Sequence, residues 1–64
     1  MVKKGTTMDY ATGDRVKITV DAGSVKAGTA GTVRQSAPLG DASWVLFDGA
    51  VDDMLVPNQN LEPA

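Results

Sequence analysis

The sequence predicts a small all-β domain, and three features of the chain lead to that fold class. Residues 14–20 alternate β-branched apolar residues with polar ones, which is the period of a half-buried strand. Further short apolar segments follow, separated by turns rich in glycine, proline and aspartate, and none has the period of an amphipathic helix. The 64 residues suffice for one domain. We therefore expect five short strands that close into a barrel.

The first two strands are predicted at residues 14–20 and 28–35. In the first, Val16, Ile18 and Val20 point inward, so the residues between them point outward. In the second, Val33 is the clearest inward residue, which places Gly31 on the same face. A glycine inside a strand indicates a bulge or a close approach of two backbones. Loops are expected at residues 21–27 and 36–42.

The second half of the chain predicts three more strands. Residues 43–47 form a dense apolar strand, and Asp48-Gly49 is typical of a type I′ hairpin. The returning strand lies within residues 51–56 and ends at Pro57. Residues 58–60 suit a single 3₁₀ turn, and residues 61–62 form a last short strand. This assigns residues 13–64 to the barrel and residues 1–12 to a flexible N-terminal arm, from which Met8 and Tyr10 fold back.

The net charge of −2 conceals an asymmetry along the chain. Residues 1–34 hold all six basic residues and three aspartates, a balance of +3. Residues 35–64 hold five acids and no basic residue, a balance of −5. Since strands from both halves neighbour each other in a barrel, we expect opposite charges to pair across strands.

The composition argues against catalysis by side chains. The chain has no histidine and no cysteine, which removes the usual general base, the thiol nucleophile and the common zinc ligands. Asp48, Asp52 and Asp53 lack the spacing of a calcium loop, and acids on an exposed strand also discourage aggregation. We expect no enzyme activity, no cofactor and no metal. The N-terminal residues resemble neither a signal peptide nor a membrane span, so we expect a cytoplasmic protein without membrane contact.

Two glycine-led segments resemble the KOW motif of SH3-like barrels: Gly13-Asp14-x-Val16-x-Ile18, then Gly28-x-x-Gly31-x-Val33. The Val45-x-Phe47-Asp48 segment of the third strand and the asparagine-rich turn at residues 58–60 also resemble the barrel of the photosystem I stromal accessory subunit. These resemblances imply a five-stranded SH3-like barrel with a short 3₁₀ turn before the last strand. KOW modules bind RNA or a protein neighbour, generally from a basic domain, whereas this chain is acidic.

A third resemblance is to the type II dihydrofolate reductases, which share the Gly13-Asp14-Arg15-Val16 opening and the Val56-Pro57-x-x-x-Leu61-Glu62 ending. That family forms a tetramer around a pore that carries a Val-Gln-Ile-Tyr signature. Residues 53–56 hold Asp-Met-Leu-Val at that place and lack both the glutamine and the tyrosine. The resemblance implies an oligomeric barrel as one alternative for this chain.

Trp44 and Leu46 are the main candidates for a binding site. If Val45 and Phe47 face the core, then Trp44 and Leu46 point outward as an exposed apolar pair, together with the loops 21–27 and 36–42. Tryptophan is enriched at interface hot spots. This predicts a non-catalytic module that binds a protein partner or copies of itself. The competing interpretation has Trp44 covered by the N-terminal arm, against Met8 or Tyr10.

Arg15, Lys17 and Arg34 are candidates for a basic strip on the outward faces of neighbouring strands. Such a strip would contact phosphates and make the chain a KOW-type nucleic-acid-binding module. The acidic total instead favours pairing of these residues with the downstream acids. We retain nucleic-acid binding as the alternative function.

Overall fold

The computed structural model describes residues 10–37 and 40–64, and the five strands within these ranges form one antiparallel sheet. The prediction of an all-β protein with five strands and a 3₁₀ turn before the last strand is confirmed. The elements are β1 (Arg15–Ile18), β2 (Ala30–Ser36), β3 (Ala42–Phe47), β4 (Met54–Pro57), the 3₁₀ turn (Asn58–Asn60) and β5 (Leu61–Pro63). In the described ranges no helix is long and apolar enough to cross a membrane.

The strand order in the sheet is β4-β3-β2-β1-β5. The first four strands form a meander, and the 3₁₀ turn returns the chain so that β5 pairs with β1, with Ile18 opposite Leu61. β4 and β5 are therefore the two edges of the hydrogen-bonded sheet, and barrel closure is not seen in the strand pairing.

The core lies on one face of this sheet, where the alternating residues of each strand meet. Val16, Val33 and Val45 have no exposed surface, and Ile18 and Phe47 are almost fully buried. β3 shows the alternation most clearly, because its residues are in turn half-buried and buried along its whole length. The inward positions predicted for Val16, Ile18 and Val33 are confirmed.

Gly31 allows β2 and β3 to approach closely, as its place in the strand predicts. A Cβ atom at this position would lie 2.7 Å from the Leu46 carbonyl oxygen and 2.9 Å from the Phe47 Cα. Both are backbone atoms of β3, so a side chain at position 31 would force the two strands apart. The β2–β3 register also shifts between Val33 and Gln35, which leaves Arg34 in a bulge.

Two predicted elements are wrong in detail. The first strand ends at Ile18 and not at Val20. Ile18 exchanges hydrogen bonds with Thr29 and Gly28 on the β2 side, Thr19 donates to the Asn60 carbonyl oxygen on the β5 side, and the chain then bends away from the sheet. Val20 is accordingly 42% exposed. The second strand begins at Ala30, after Gly28 has made a turn with φ +93°.

The prediction of a type I′ hairpin at Asp48-Gly49 is also wrong. That turn requires positive φ at both central residues, and only Gly49 has it, at +88°. The Ala50 N–H donates to the Phe47 carbonyl oxygen at 3.0 Å, which closes a turn with glycine in its third position. The chain then runs through an exposed loop before β4 begins at Met54, so Val51 is 94% exposed and lies outside the strand.

Candidate functional site

The outward face of β3 and β4 carries three apolar side chains next to one another. Trp44 is paired directly with Leu55 across the two strands, and Leu46 lies two residues further along β3. Trp44 and Leu46 are half-buried, and Leu55 is 47% exposed. We call Trp44, Leu46 and Leu55 the tryptophan patch.

Strand alternation explains how the patch arises. Val45 and Phe47 fill the core, so their neighbours Trp44 and Leu46 point to the opposite side. The structure directs this pair outward, but both side chains are half-buried and not exposed as the sequence predicts. The role of the pair in binding remains a prediction. Leu55 is the member that sequence reasoning missed, because Met54, Leu55 and Val56 are all apolar and show no alternation. Only the register against Trp44 identifies its face.

Tyr10 lies on the core side of the sheet and belongs to the buried hydrophobic cluster. Its hydroxyl donates to the Leu61 carbonyl oxygen at 3.4 Å, and its own carbonyl oxygen accepts from the Ser36 hydroxyl at 2.6 Å. Burial raises the pKa of Tyr10. This residue therefore packs into the core, as a residue that folds back would. Met8 and the rest of residues 1–9 lie outside the described residues.

Arg15 stands on the outward face of β1 and reaches Asp48, which follows β3. Two guanidinium nitrogens donate to the two carboxylate oxygens at 3.1 and 2.9 Å, and one of them also donates to the Thr32 hydroxyl at 2.9 Å. These hydrogen bonds lower the pKa of Asp48 and raise that of Arg15. The pair is exposed, so it contributes little to stability but fixes the orientation of the guanidinium group.

The other two predicted cations have different surroundings. Lys17 forms an ion pair with Glu62 of β5 at 3.3 Å, while the exposed Arg34 has no ion pair within the described residues. Opposite charges thus pair across strands as the charge asymmetry predicts, and two of the three candidate cations already face a carboxylate. The nucleic-acid contact remains a prediction.

The loops predicted to join the binding surface lie at opposite ends of β3. Residues 37–41 precede this strand, and residues 38–39 among them are outside the described part. Residues 24–26 lie at the other end, where they and Thr29 form a groove of about 250 Å³ with residues 47–50. Trp44 and Leu46 therefore lie between the two loops along β3.

A buried polar pair supports the Ala42 end of β3, and sequence reasoning did not identify it. The Ser43 hydroxyl donates to Asn58 Oδ1 at 2.7 Å, and Asn58 Nδ2 donates to the Gly40 carbonyl oxygen at 3.1 Å. The Asn58 N–H also donates to the Asp41 carbonyl oxygen at 2.9 Å, so the 3₁₀ turn holds the start of β3 in place. Nothing in the sequence pattern signals that Ser43 and Asn58 meet.

The described residues contain no group of three or more acidic side chains that could hold a metal ion. Asp52 and Asp53 are both exposed. No protein-family model, no curated protein and no solved structure matches the chain.

Proposed function

We propose that this chain is a non-catalytic interaction module, built as a small SH3-like barrel, that binds a protein partner or a second copy through the tryptophan patch. The observation that carries the proposal is the presence of three adjacent apolar side chains on the outward face of a regular two-stranded segment. These side chains do not belong to the hydrophobic core, which is formed by side chains on the opposite face of the sheet. Apolar groups grouped at a surface mark interaction sites more often than isolated ones do.

The fold part of the proposal is supported by the strand order. A meander of four strands, a 3₁₀ turn and a fifth strand that returns to the first follow the arrangement expected of an SH3-like barrel. The rigid strands also suit a binding role, because side chains on strands keep their positions better than side chains on loops. A partner would then meet a preformed surface and lose little conformational entropy on binding.

Replacement of the tryptophan tests the proposal. Trp44→Ala should weaken association by more than about 1 kcal/mol, the usual threshold for a hot spot, and should keep the β-sheet circular dichroism. The association is measured by sedimentation velocity for self-association and by pull-down with the intact chain for other partners. Val51→Ala is the matched control, since Val51 is an exposed apolar residue outside the patch. Unfolding of Trp44→Ala would instead identify Trp44 as part of the core.

A further inference from the structure

The tryptophan patch has carboxylates at both ends. Asp41 directly precedes β3 at the end where Ala42 pairs with Pro57, and Asp52-Asp53 directly precede β4 at the end where Met54 pairs with Val45. All three aspartates are exposed, and within the described residues none of them forms an ion pair. These two pairs are three residue steps apart, and with one further step to Asp41 and one to Asp53 the carboxylates are five steps apart, which is about 17 Å along a strand.

The other acids of the described chain are engaged elsewhere. Asp48 and Glu62 are neutralised by Arg15 and Lys17. The carboxylates of Asp14 and Asp21 accept hydrogen bonds from nearby backbone N–H groups. A neutral N–H group does not cancel a charge, so five of the described carboxylate side chains lack a basic partner, and three of these five flank the apolar surface that we propose as the binding site.

We infer that the partner of the tryptophan patch is a basic protein segment in extended conformation, with an apolar side chain between two lysine or arginine residues. This inference rests on the proposed function and selects among its partners. The apolar residue would lie against Trp44 and Leu55, and the flanking cations would face Asp41 at one end and Asp52-Asp53 at the other. Complementary charges speed encounter and exclude wrong partners.

The free edge of β4 explains why the segment is extended. β4 pairs with β3 on one side, and on its other side none of the strands in residues 10–37 and 40–64 pairs with it. A strand added there would run parallel to the line between the two acidic ends, and residues four apart on one face would span about 13 Å. Long lysine side chains can cover the remaining distance.

The same carboxylates make a second copy of this chain an unfavourable partner for the patch. Two copies that meet through their tryptophan patches would each bring the three flanking carboxylates to the interface, and neither β3 nor β4 contains a basic residue to offset them. Nucleic acids and anionic membranes would be repelled at this surface for the same reason.

Fluorescence of Trp44, the single tryptophan, provides the test. The probes are two peptides with blocked ends, Thr-Lys-Thr-Leu-Thr-Lys-Thr and its counterpart with glutamate at both lysine positions. On the intact chain at low salt, the lysine peptide should bind at least about tenfold more tightly, and added salt should remove this preference. In the variant Asp41→Asn/Asp52→Asn/Asp53→Asn the preference should disappear. The control Asp14→Asn/Asp21→Asn should keep it, since asparagine retains the accepting oxygen.

Equal binding of both peptides, or no binding of either at millimolar concentration, would overturn the inference. A second overturning result is a wild-type dimer at neutral pH that Trp44→Ala dissociates, although it would support the proposed function. If the triple variant aggregates and the lysine peptide does not bind, the aspartates only protect the β4 edge.

Discussion

The two faces of β3 both carry apolar side chains, but in opposite surroundings. Val45 and Phe47 lie in a closely packed core, where Gly31 of β2 leaves no space for another atom. Trp44 and Leu46 point away from that core and remain half-buried. Packing in the core accounts for the apolar character of Val45 and Phe47, but it does not account for that of Trp44 and Leu46. This difference is why we assign stability to the inner face and binding to the outer face.

The largest effect should come from the inner face. Gly31→Ala places a Cβ atom within 3 Å of two β3 backbone atoms, so the strands must separate. We expect a loss of about 3 kcal/mol or more, at the upper end of overpacking effects and comparable to the whole stability of a domain this small. Urea unfolding followed by circular dichroism measures it. Gly23→Ala is the control, since no atom lies within 4 Å and only its φ of +59° opposes alanine, at about 1 kcal/mol. Equal losses in both variants would contradict the close approach.

A smaller loss is expected where the inner face is polar. Ser43→Ala removes the hydrogen bond to Asn58 Oδ1 in a fully buried site, and the loss of a buried hydrogen bond costs about 1 kcal/mol. The free energy of unfolding should fall by that amount. The exposed Ser24 provides the control, because Ser24→Ala should change stability by less than about 0.5 kcal/mol. If Ser43→Ala is as stable as the wild type, the hydrogen bond does not hold the start of β3.

On the outer face, a substitution should weaken binding more than it lowers stability. Leu55→Ala removes a side chain that is already 47% exposed, so we expect a loss of stability below about 1 kcal/mol. The same substitution should weaken binding of the lysine peptide several-fold, as measured by Trp44 fluorescence. Val51→Ala should leave both quantities unchanged. If Leu55→Ala loses much of its stability but binds the lysine peptide normally, the outer face contributes to stability and not to binding, which contradicts our assignment.

The smallest effect concerns the Arg15–Asp48 pair at the border of the outer face. The hydrogen bonds from Arg15 lower the pKa of Asp48 in the folded protein below its ordinary value of 3.8. The ionised carboxylate therefore stabilises the folded state fully at pH values above 3.8. The contribution disappears as the pH falls through the lowered pKa. Asp48→Asn should therefore be slightly less stable than the wild type at pH 7 and equally stable at strongly acidic pH, by urea unfolding. In an Arg15→Gln background the same substitution should show no such pH dependence.

Sequence reasoning identified the elements whose cause is local. The alternation around Val16 and Ile18, the apolar run that ends at Phe47 and the turn at residues 58–60 all depend on neighbouring residues, and each is present in the structure. The misplaced residues depend on distant partners. Val20 is exposed because β1 ends at Ile18, whose backbone makes the last hydrogen bonds to Gly28 and Thr29, and no local pattern reveals where a strand loses its partner.

The candidate site shows the same division. The outward direction of Trp44 follows from alternation within one strand, while the position of Leu55 beside it depends on the β3–β4 register. That register could not be predicted, since Asp48-Gly49 suggested a two-residue turn and the actual loop extends to Asp53. The pairing of Arg15 with Asp48 likewise requires three strands to be placed side by side.

The return of β5 to β1 has a consequence for the order of folding. β1 and β5 are neighbours in the sheet, and the contact between Tyr10 and Leu61 joins positions 51 residues apart. Closing so long a loop lowers the entropy of the chain before stabilising contacts have formed. Strands that are distant in sequence therefore tend to pair after strands that are adjacent in sequence. We expect the meander from β1 to β4 to form first and β5 to dock last. Substitutions in β5 should then accelerate unfolding while leaving the folding rate nearly unchanged.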